Sequence, residues 1–476
     1  MYDTILLWCG GREPDTVQKN ILYYGGNKTM EEKIKEKIKQ IQHQIKDVEI
    51  HYLKLMGFNL KTGLLWMIRA FIVGLVVGGF SSVFTLGLGW VTEVRKEYPF
   101  LLFLLPAGGL LIVWLYRLCG MKKDTGTNLL ITAVHNSQQN VPVYLAPLIF
   151  GATLITHLFG GSAGREGAAL QMGGSLGNTL GRLLHLHEGD RKILMMSGMS
   201  AAFSAVFGTP MAAAIFPMEM ISVGIMQYSA LLPCVFASLV ASQFALNLGI
   251  YPEAYHVTGI PAVTFESFGK LVLLGILCAV VSVLFCNFLR GANYFYGKYF
   301  KNPYIRVIVG GVLVIVLTML VGNFDYNGAG TELIERAIEH GETPAYAFLL
   351  KMLFTSLTLA AGFKGGEIVP SFCTGAAFGC LYGNLMGISP SLCAALGMTA
   401  VFCGVTNCPI TSMLIGFELF GFEWAVFILL VISVSYLFSG YRGLYREQII
   451  VYSKYHPKYI NRLSGDESFD GKDYEE

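Results

Sequence analysis

Gly164-Arg165-Glu166-Gly167-Ala168 sets one carboxylate among glycines, between two membrane-like stretches. Upstream, 145–161 is almost wholly apolar; downstream, 168–184 reads as a helix whose one charge is Arg182. An ionisable side chain at membrane depth is costly, and is a functional hypothesis by default. At a helix N-terminus, free backbone N–H groups and the positive end of the helix dipole also make an anion site. A glutamate there occupies the site when charged and leaves it when protonated, which is the action of a gate.

Working outward, the 476 residues are 54% hydrophobic and only 14% charged, with a mean hydropathy of +0.54, which places most of the chain in lipid. A net charge of +2 carries no signal for nucleic acid. The ten cysteines form no CxxC pair and no Cys/His cluster, so they read as buried thiols, with no disulfide, metal or cofactor expected. Met1–Cys9 is short and lacks a basic flank, so no cleavable signal peptide is read there. Met30 opens a charged segment and is a candidate true start, and 30–54 reads as an exposed helix of mixed charge.

Long apolar runs begin at Leu64–Trp90 and Pro99–Leu118 and recur at about 143–160, 193–216, 226–250, 268–289, 307–322, 345–362, 389–405 and 422–438. Lys54, Lys61 and Arg69 precede or open the first run, and Arg117, Lys122 and Lys123 follow the second. The positive-inside rule then places the N-terminus and the 119–124 loop in the cytoplasm. Between the runs, 126–135, 166–184, 367–385 and 409–420 are too short or too glycine-rich for simple spans. Broken helices are tolerated at membrane depth only where they line a cavity or are buried in protein, so the pattern is that of a transporter or channel. The expected organisation is a cytoplasmic segment over 1–62, a membrane domain over 63–448 with repeat cores at about 125–221 and 329–420, and a short cytoplasmic tail over 449–476. That tail is too small for a regulatory domain and is expected to be partly disordered.

An internal repeat supports this division. GMSAAFSAVFGTPMAAAIFPME (198–219) returns without a gap as GMTAVFCGVTNCPITSMLIGFE (397–418), sharing Gly198/Gly397, Phe203/Phe402, Pro210/Pro409 and Glu219/Glu418 among others. Gly164-x-Glu166 has a counterpart upstream of the second copy in Gly365-x-Glu367. Paired Gly/Pro-interrupted segments in two halves point to a binding site at the repeat interface.

These residues together resemble the CLC family of chloride channels and anion/proton antiporters, over roughly Leu64–Leu444. The family's GREGP motif is matched by Gly164–Ala168, with alanine for proline. Its G-[KI]-F-x-P segment is matched by Gly366-Glu367-Ile368-Val369-Pro370, and its GSGIP segment by Gly126-Thr127-Asn128-Leu129-Leu130. A late tyrosine that reaches the central anion is matched by Tyr445. The resemblance implies an all-α polytopic membrane protein of about 18 mostly tilted or half-length helices in two inverted repeats. It also implies a homodimer in the plasma membrane with one pore per subunit, both termini being cytoplasmic. The implied function is transport of chloride or fluoride in exchange for protons, or passive anion conduction.

By the same resemblance Glu166 is the gating and proton-transfer residue. The anion is met by Thr127 and Tyr445 through hydroxyls, by Ile368 and Val369 through backbone N–H groups, and by the turns holding Gly126, Asn128, Gly164, Arg165 and Gly167. Thr127 and Asn128 are equally candidate caps of the helix starting there. Glu367 either occupies a vestibule or pairs with Lys364. His135 and His157 either titrate near the pathway or are packed and hydrogen-bonded. Many antiporters of the family carry a second proton-transfer glutamate just after the position of Glu219. Here that residue is Met220, and Glu219 reads as a structural contact at a helix end. The missing proline of GREGA, the GFKGGE segment (362–367) and Met220 resemble the fluoride/proton branch of the family, whereas Thr127 and Val369 depart from that branch's usual methionine and threonine. An intramembrane enzyme built on Glu166 or Glu219 and a histidine is disfavoured, on the reading that no HExxH, GxSxG or metal-spaced carboxylate cluster occurs. The paired helix starts likewise disfavour a cation transporter.

Overall fold

A computed structural model describes residues 28–121, 126–136, 141–259 and 264–466. The readings of Met1–Cys9, of the Lys122–Lys123 loop and of the acidic end of the tail fall outside those residues. The chain divides into two units, residues 1–65 and 66–476. The first consists, where described, of the opening turns of helix α1 (Lys28–Glu97), with Lys35, Lys37, Lys39, Ile41 and Ile45 all exposed.

The second unit is helical, and its helices fall into two series. The first holds α2 (Leu105–Leu118), α3 (Asn128–His135), α4 (Leu145–Leu158), α5 (Glu166–Leu183), α6 (Glu188–Phe207), α7 (Pro210–Glu219) and α8 (Leu231–Asn247). After the long helix α9 (Phe265–Tyr299), the second series repeats the order. It holds α10 (Pro303–Val321), α11 (Thr331–Glu335), α12 (Ala347–Ala361), α13 (Ile368–Met386), α14 (Pro390–Thr406), α15 (Pro409–Phe420) and α16 (Ala425–Phe438). Met56–Glu97, Pro99–Leu118, Tyr228–Asn247, Phe265–Tyr299 and Pro303–Val321 are long and apolar enough to cross a membrane; α4, α12, α14 and α15 are apolar but shorter.

Two sets of contacts show how the series are related. Glu219, ending α7, accepts from Ile410 N (2.9 Å), Thr411 N (2.8 Å) and Thr411 Oγ1 (2.6 Å) at the start of α15. Glu418, near the end of α15, accepts from Met211 N (2.8 Å) and Ala212 N (2.9 Å) at the start of α7. Each carboxylate thus caps the other repeat's helix, supplying the acceptors that its first N–H groups lack. In the same way Gly164 and Gly366 exchange both backbone bonds as an antiparallel bridge, at 2.6 and 2.7 Å. Reciprocal exchange between equivalent residues is what a local two-fold axis produces, so the repeats are inverted with respect to each other.

The apolar run at 193–216 is two helices rather than one. Gly208 takes a left-handed conformation (φ 78°) at the end of α6, and Pro210 opens α7 as its first residue. Asn407 (φ 59°) and Pro409 break the second copy at the matching place. A left-handed residue followed two positions later by proline ends one helix and starts another whatever the hydropathy. Within each repeat the paired helices pack backbone to backbone: Gly173 of α5 meets Gly198 of α6, and Gly375 of α13 meets Gly397 of α14. Such glycine contacts let membrane helices gain dispersion energy at close range. Phe203, Phe216, Phe402 and Phe372 form a chain of ring contacts, with centroids 4.8 to 5.7 Å apart, that joins the two halves.

The described part of the C-terminal tail, expected from the sequence to be partly disordered, carries two strands. β2 (Ile449–Tyr452) pairs in parallel with β1 (Ser222–Val223), just after α7, and antiparallel with β3 (Tyr459–Leu463). Ile450 packs with Val223 and Tyr441, so 449–463 is part of the membrane unit's own fold. The two runs are short and lack the apolar/polar alternation that reads as strand from sequence.

Candidate anion site and gate

Three helix N-termini meet around the Gly164–Gly366 bridge. Helix α5 starts at Glu166, α13 at Ile368 and α3 at Asn128. Their approach is close: a Cβ on Gly366 would lie 2.6 Å from Gly167 N, and one on Gly167 would lie 3.8 Å from Thr127 Oγ1 and 3.6 Å from Glu367 Oε2. Glycine at 366 and 167 is therefore required for these turns to touch. The register also corrects the sequence alignment by one residue. Glu166 opens α5 as Ile368 opens α13, so Glu367 stands where Arg165 stands in the first repeat.

Glu166 is fully buried, and its carboxylate turns back on its own turn. Oε2 accepts from Arg165 N at 3.1 Å, and Oε1 accepts from Arg165 Nε at 3.3 Å. A cavity of about 480 Å³ reaches Gly126, Thr127, Gln171, Lys364, Gly365 and Glu367. A second, of about 340 Å³, reaches Arg165, Glu253, His157 and Arg95. Glu166 lines neither; Arg165 beside it lines the second, and Gly365 and Glu367 of the facing turn line the first.

The other expected site residues divide. Thr127 is buried, makes no capping bond and lines the larger cavity. Asn128 lines it too, but its Oδ1 accepts from Glu447 N at 3.2 Å, tying α3 to the chain after α16 rather than capping α3. Ile368 and Val369 are buried in the first turn of α13, where N–H groups have no partner within the helix. Tyr445 is buried with its hydroxyl unpaired, and an unpaired buried hydroxyl is a costly arrangement that a ligand can relieve. Gly126, Gly164, Arg165 and Gly167 all lie in the converging turns. Lys364 Nζ stands over the Tyr116 ring at 4.4 Å, and the Glu367 carboxylate faces Gly167 beside Thr127.

His135 and His157 each make one ring contact to a backbone carbonyl. His135 Nε2 meets Ile221 O at 3.1 Å, and His157 Nδ1 meets Thr153 O at 3.0 Å. Met220 is fully buried, and Glu219 is engaged in the cap already described.

Gln171 is a site residue that the sequence reading passed over. It is buried one turn into α5, donates from Nε2 to Gly167 O at 3.3 Å, leaves its other amide atom unpaired and lines the larger cavity. Its signal was an amide four residues after Gly167, in a stretch (167–173) otherwise made of small and apolar residues. Against the sequence reading that no G-x-S-x-G occurs, residues 160–164 and 173–177 each spell that pattern, and both serines are engaged in hydrogen bonds. Ser175 donates to Pro142 O, and fully buried Ser162 is bonded to Lys351, which also donates to the Tyr326 and Gly328 carbonyls. Among the described residues no cluster of His, Cys, Asp and Glu could hold a metal ion.

Comparison with known proteins bears on the family and the fold. The family model described as voltage gated chloride channel matches residues 108–440. A chloride/fluoride channel protein of Pseudomonas syringae pv. tomato is 35% identical over 397 residues, covering 82% of this chain and 88% of that protein. The crystal structure of a CLC-type fluoride/proton antiporter superposes with a TM-score of 0.78 at 32% identity, covering 81% of this chain and 98% of the other. A slow cyanobacterial chloride/proton antiporter shares the fold at 18% identity, with a TM-score of 0.67 over 79% of this chain. The chain therefore belongs to the CLC family of voltage-gated chloride channels, and its α-helical fold is that of a polytopic membrane protein.

Proposed function

We propose that this protein exchanges a halide for protons across the membrane, with Glu166 as both gate and proton carrier. The observation that carries the reading is the fully buried Glu166 carboxylate at the head of α5, set between two cavities and bonded to its own turn. When charged it occupies the donors of the turn, as a transported anion would; when protonated it no longer competes for them. A proton taken up by Glu166 thus frees the site for an anion, and proton release after the anion leaves restores the block. Lower external pH therefore raises halide flux.

The anion's place is the meeting of Thr127, the Ile368 and Val369 N–H groups, and the Tyr445 hydroxyl. Gln171 and the turns at Gly126, Asn128, Gly164, Arg165 and Gly167 complete its surroundings. Glu367, a second carboxylate facing Gly167, lies on the side of the larger cavity and is placed to pass protons to that side. Fluoride is the halide favoured. The solved fluoride/proton antiporter is the more similar in both sequence and fold, and a small, strongly hydrated ion needs the dense set of donors that three N-termini, two hydroxyls and an amide supply.

The protein is read as a transporter without enzymatic activity, acting as a homodimer in the plasma membrane with both termini cytoplasmic. Residues 63–448 form the transport domain. The test is efflux from proteoliposomes loaded with fluoride or with chloride, with external pH recorded. Fluoride efflux that drives protons inward against their gradient is expected. Anion flux with no proton movement would make the protein a passive channel, and faster chloride than fluoride would overturn the selectivity.

A further inference from the structure

The loop over 251–259, between α8 and α9, belongs to neither half of the repeat, yet it sends a carboxylate to the gate. Glu253 Oε1 accepts from Arg165 Nη2 at 2.6 Å, and Glu253 Oε2 accepts from Tyr255 Oη at 2.9 Å. The same guanidinium reaches Glu166 Oε1 through Nε at 3.3 Å. One cation is therefore shared between two carboxylates, and the tighter contact is to the one outside the helix. A partly buried cation stripped of its only counter-charge is strongly unfavourable, so a gate paired to Arg165 alone would be held shut by the cost of leaving it.

We propose that Glu253 is a positioning residue for the gate, keeping Arg165 paired and in place while Glu166 gives up its charge and moves away. This rests on the reading of Glu166 as gate. The other charged groups on this cavity are committed elsewhere. Lys96 bonds Glu93 at 3.1 Å and Glu332 at 2.9 Å, and Asp325 pairs with Arg336 at 2.8 Å. Arg95 donates to His157 O at 3.2 Å, and nearby Lys351 is held by Ser162 and two carbonyls. Among the ion pairs of the described residues, Arg165 meets Glu166 and Glu253. Tyr255, through its hydroxyl, fixes the carboxylate that fixes the guanidinium. With Glu253 replaced by a neutral amide, Arg165 turns wholly to Glu166, and opening requires more acid.

The experiment is halide efflux against external pH for Glu253→Gln, Glu253→Asp and Tyr255→Phe, the first also combined with Glu166→Ala. Glu253→Gln is expected to lower flux at neutral pH by about tenfold or more, on the order expected for a disturbed buried pair. The external pH of half-maximal flux should move to lower values. Glu253→Asp should recover most of the loss, and Tyr255→Phe should show a smaller shift in the same direction, which serves if Glu253→Gln does not fold. In the Glu166→Ala background, Glu253→Gln should change flux less than about twofold, because there is no gate left to hold. Equal losses in both backgrounds, or unchanged flux and pH profile with Glu253→Gln, would overturn the proposal. The Glu166→Ala variant alone reports on the gate: if it still couples protons, the gate reading has failed, whereas uncoupling with equal losses in both backgrounds sinks only the role of Glu253.

Discussion

At the scale of single residues, the chemistry turns on which carboxylates move and which are fixed. Glu219 and Glu418 are held: each accepts backbone N–H bonds from the other repeat's helix start. Replacing Glu219 with alanine removes three bonds to a charged acceptor and should destabilise the protein by roughly 1.5–3 kcal/mol, read as a lower Tm in detergent. Glu219→Gln, which keeps an acceptor oxygen, should lose less stability and leave proton coupling unchanged; loss of coupling there would give Glu219 a place in the proton path. Glu166 was legible in the sequence because a carboxylate among glycines in an apolar context has few other uses. Gln171 was not, since an amide on a helix carries no such cost signal until its partners are counted. The partnership of Arg165 with Glu253 was equally hidden, because nothing in the spacing of the two residues says that a loop beyond α8 folds back to α5.

At the scale of elements, the ungapped repeat at 198–219 and 397–418 gave the internal duplication directly, and the structure adds its inversion. The matching glycine turns were legible but placed one residue out of register. Gly365-x-Glu367 imitates Gly164-x-Glu166 in spelling, whereas hydrogen bonding pairs Gly164 with Gly366. The break at Gly208-Thr209-Pro210 was obscured because hydropathy averages over a window wider than a turn. The touching turns make a sharp prediction. Gly366→Ala puts a methyl 2.6 Å from Gly167 N, against backbone rather than a yielding side chain. It should cost about 1–3 kcal/mol by overpacking and reduce halide flux, measured as Tm and as proteoliposome efflux. Unchanged flux with unchanged Tm would mean that the turns are not as tightly apposed as described.

At the scale of the whole molecule, the chain after α16 closes the site from the far side. It carries Tyr445, ties Glu447 N to Asn128 and then joins β1 through β2. Lys454 fastens this arrangement. Its ammonium donates to Asn407 Oδ1 at 2.7 Å, Tyr436 O at 3.2 Å, Ser439 Oγ at 3.2 Å and the Gly440 carbonyl, and lies over the Tyr436 ring. Lysine and carbonyls at helix C-termini attract one another, and here two helix ends, those of α14 and α16, share one cation. Lys454→Met removes this donor, and an acceptor left with no other partner and no water costs about 1–3 kcal/mol. The 449–463 segment should then be cut faster by limited proteolysis, with weaker transport because Tyr445 loses its support. Resistance equal to the parent would show that the strand pairing alone holds the segment. None of this was legible in a tail whose composition reads as polar, since its order comes from contacts outside it, with β1 and with the ends of α14 and α16.

The measurement that bears most directly on the whole scheme is proton movement driven by a fluoride gradient in proteoliposomes, compared between the parent protein and Glu166→Ala. The parent should take up protons against their gradient as fluoride leaves, and Glu166→Ala should pass fluoride with no proton uptake. Proton pumping that survives the loss of the Glu166 carboxylate would contradict the assignment of this residue as the point where anion and proton exchange.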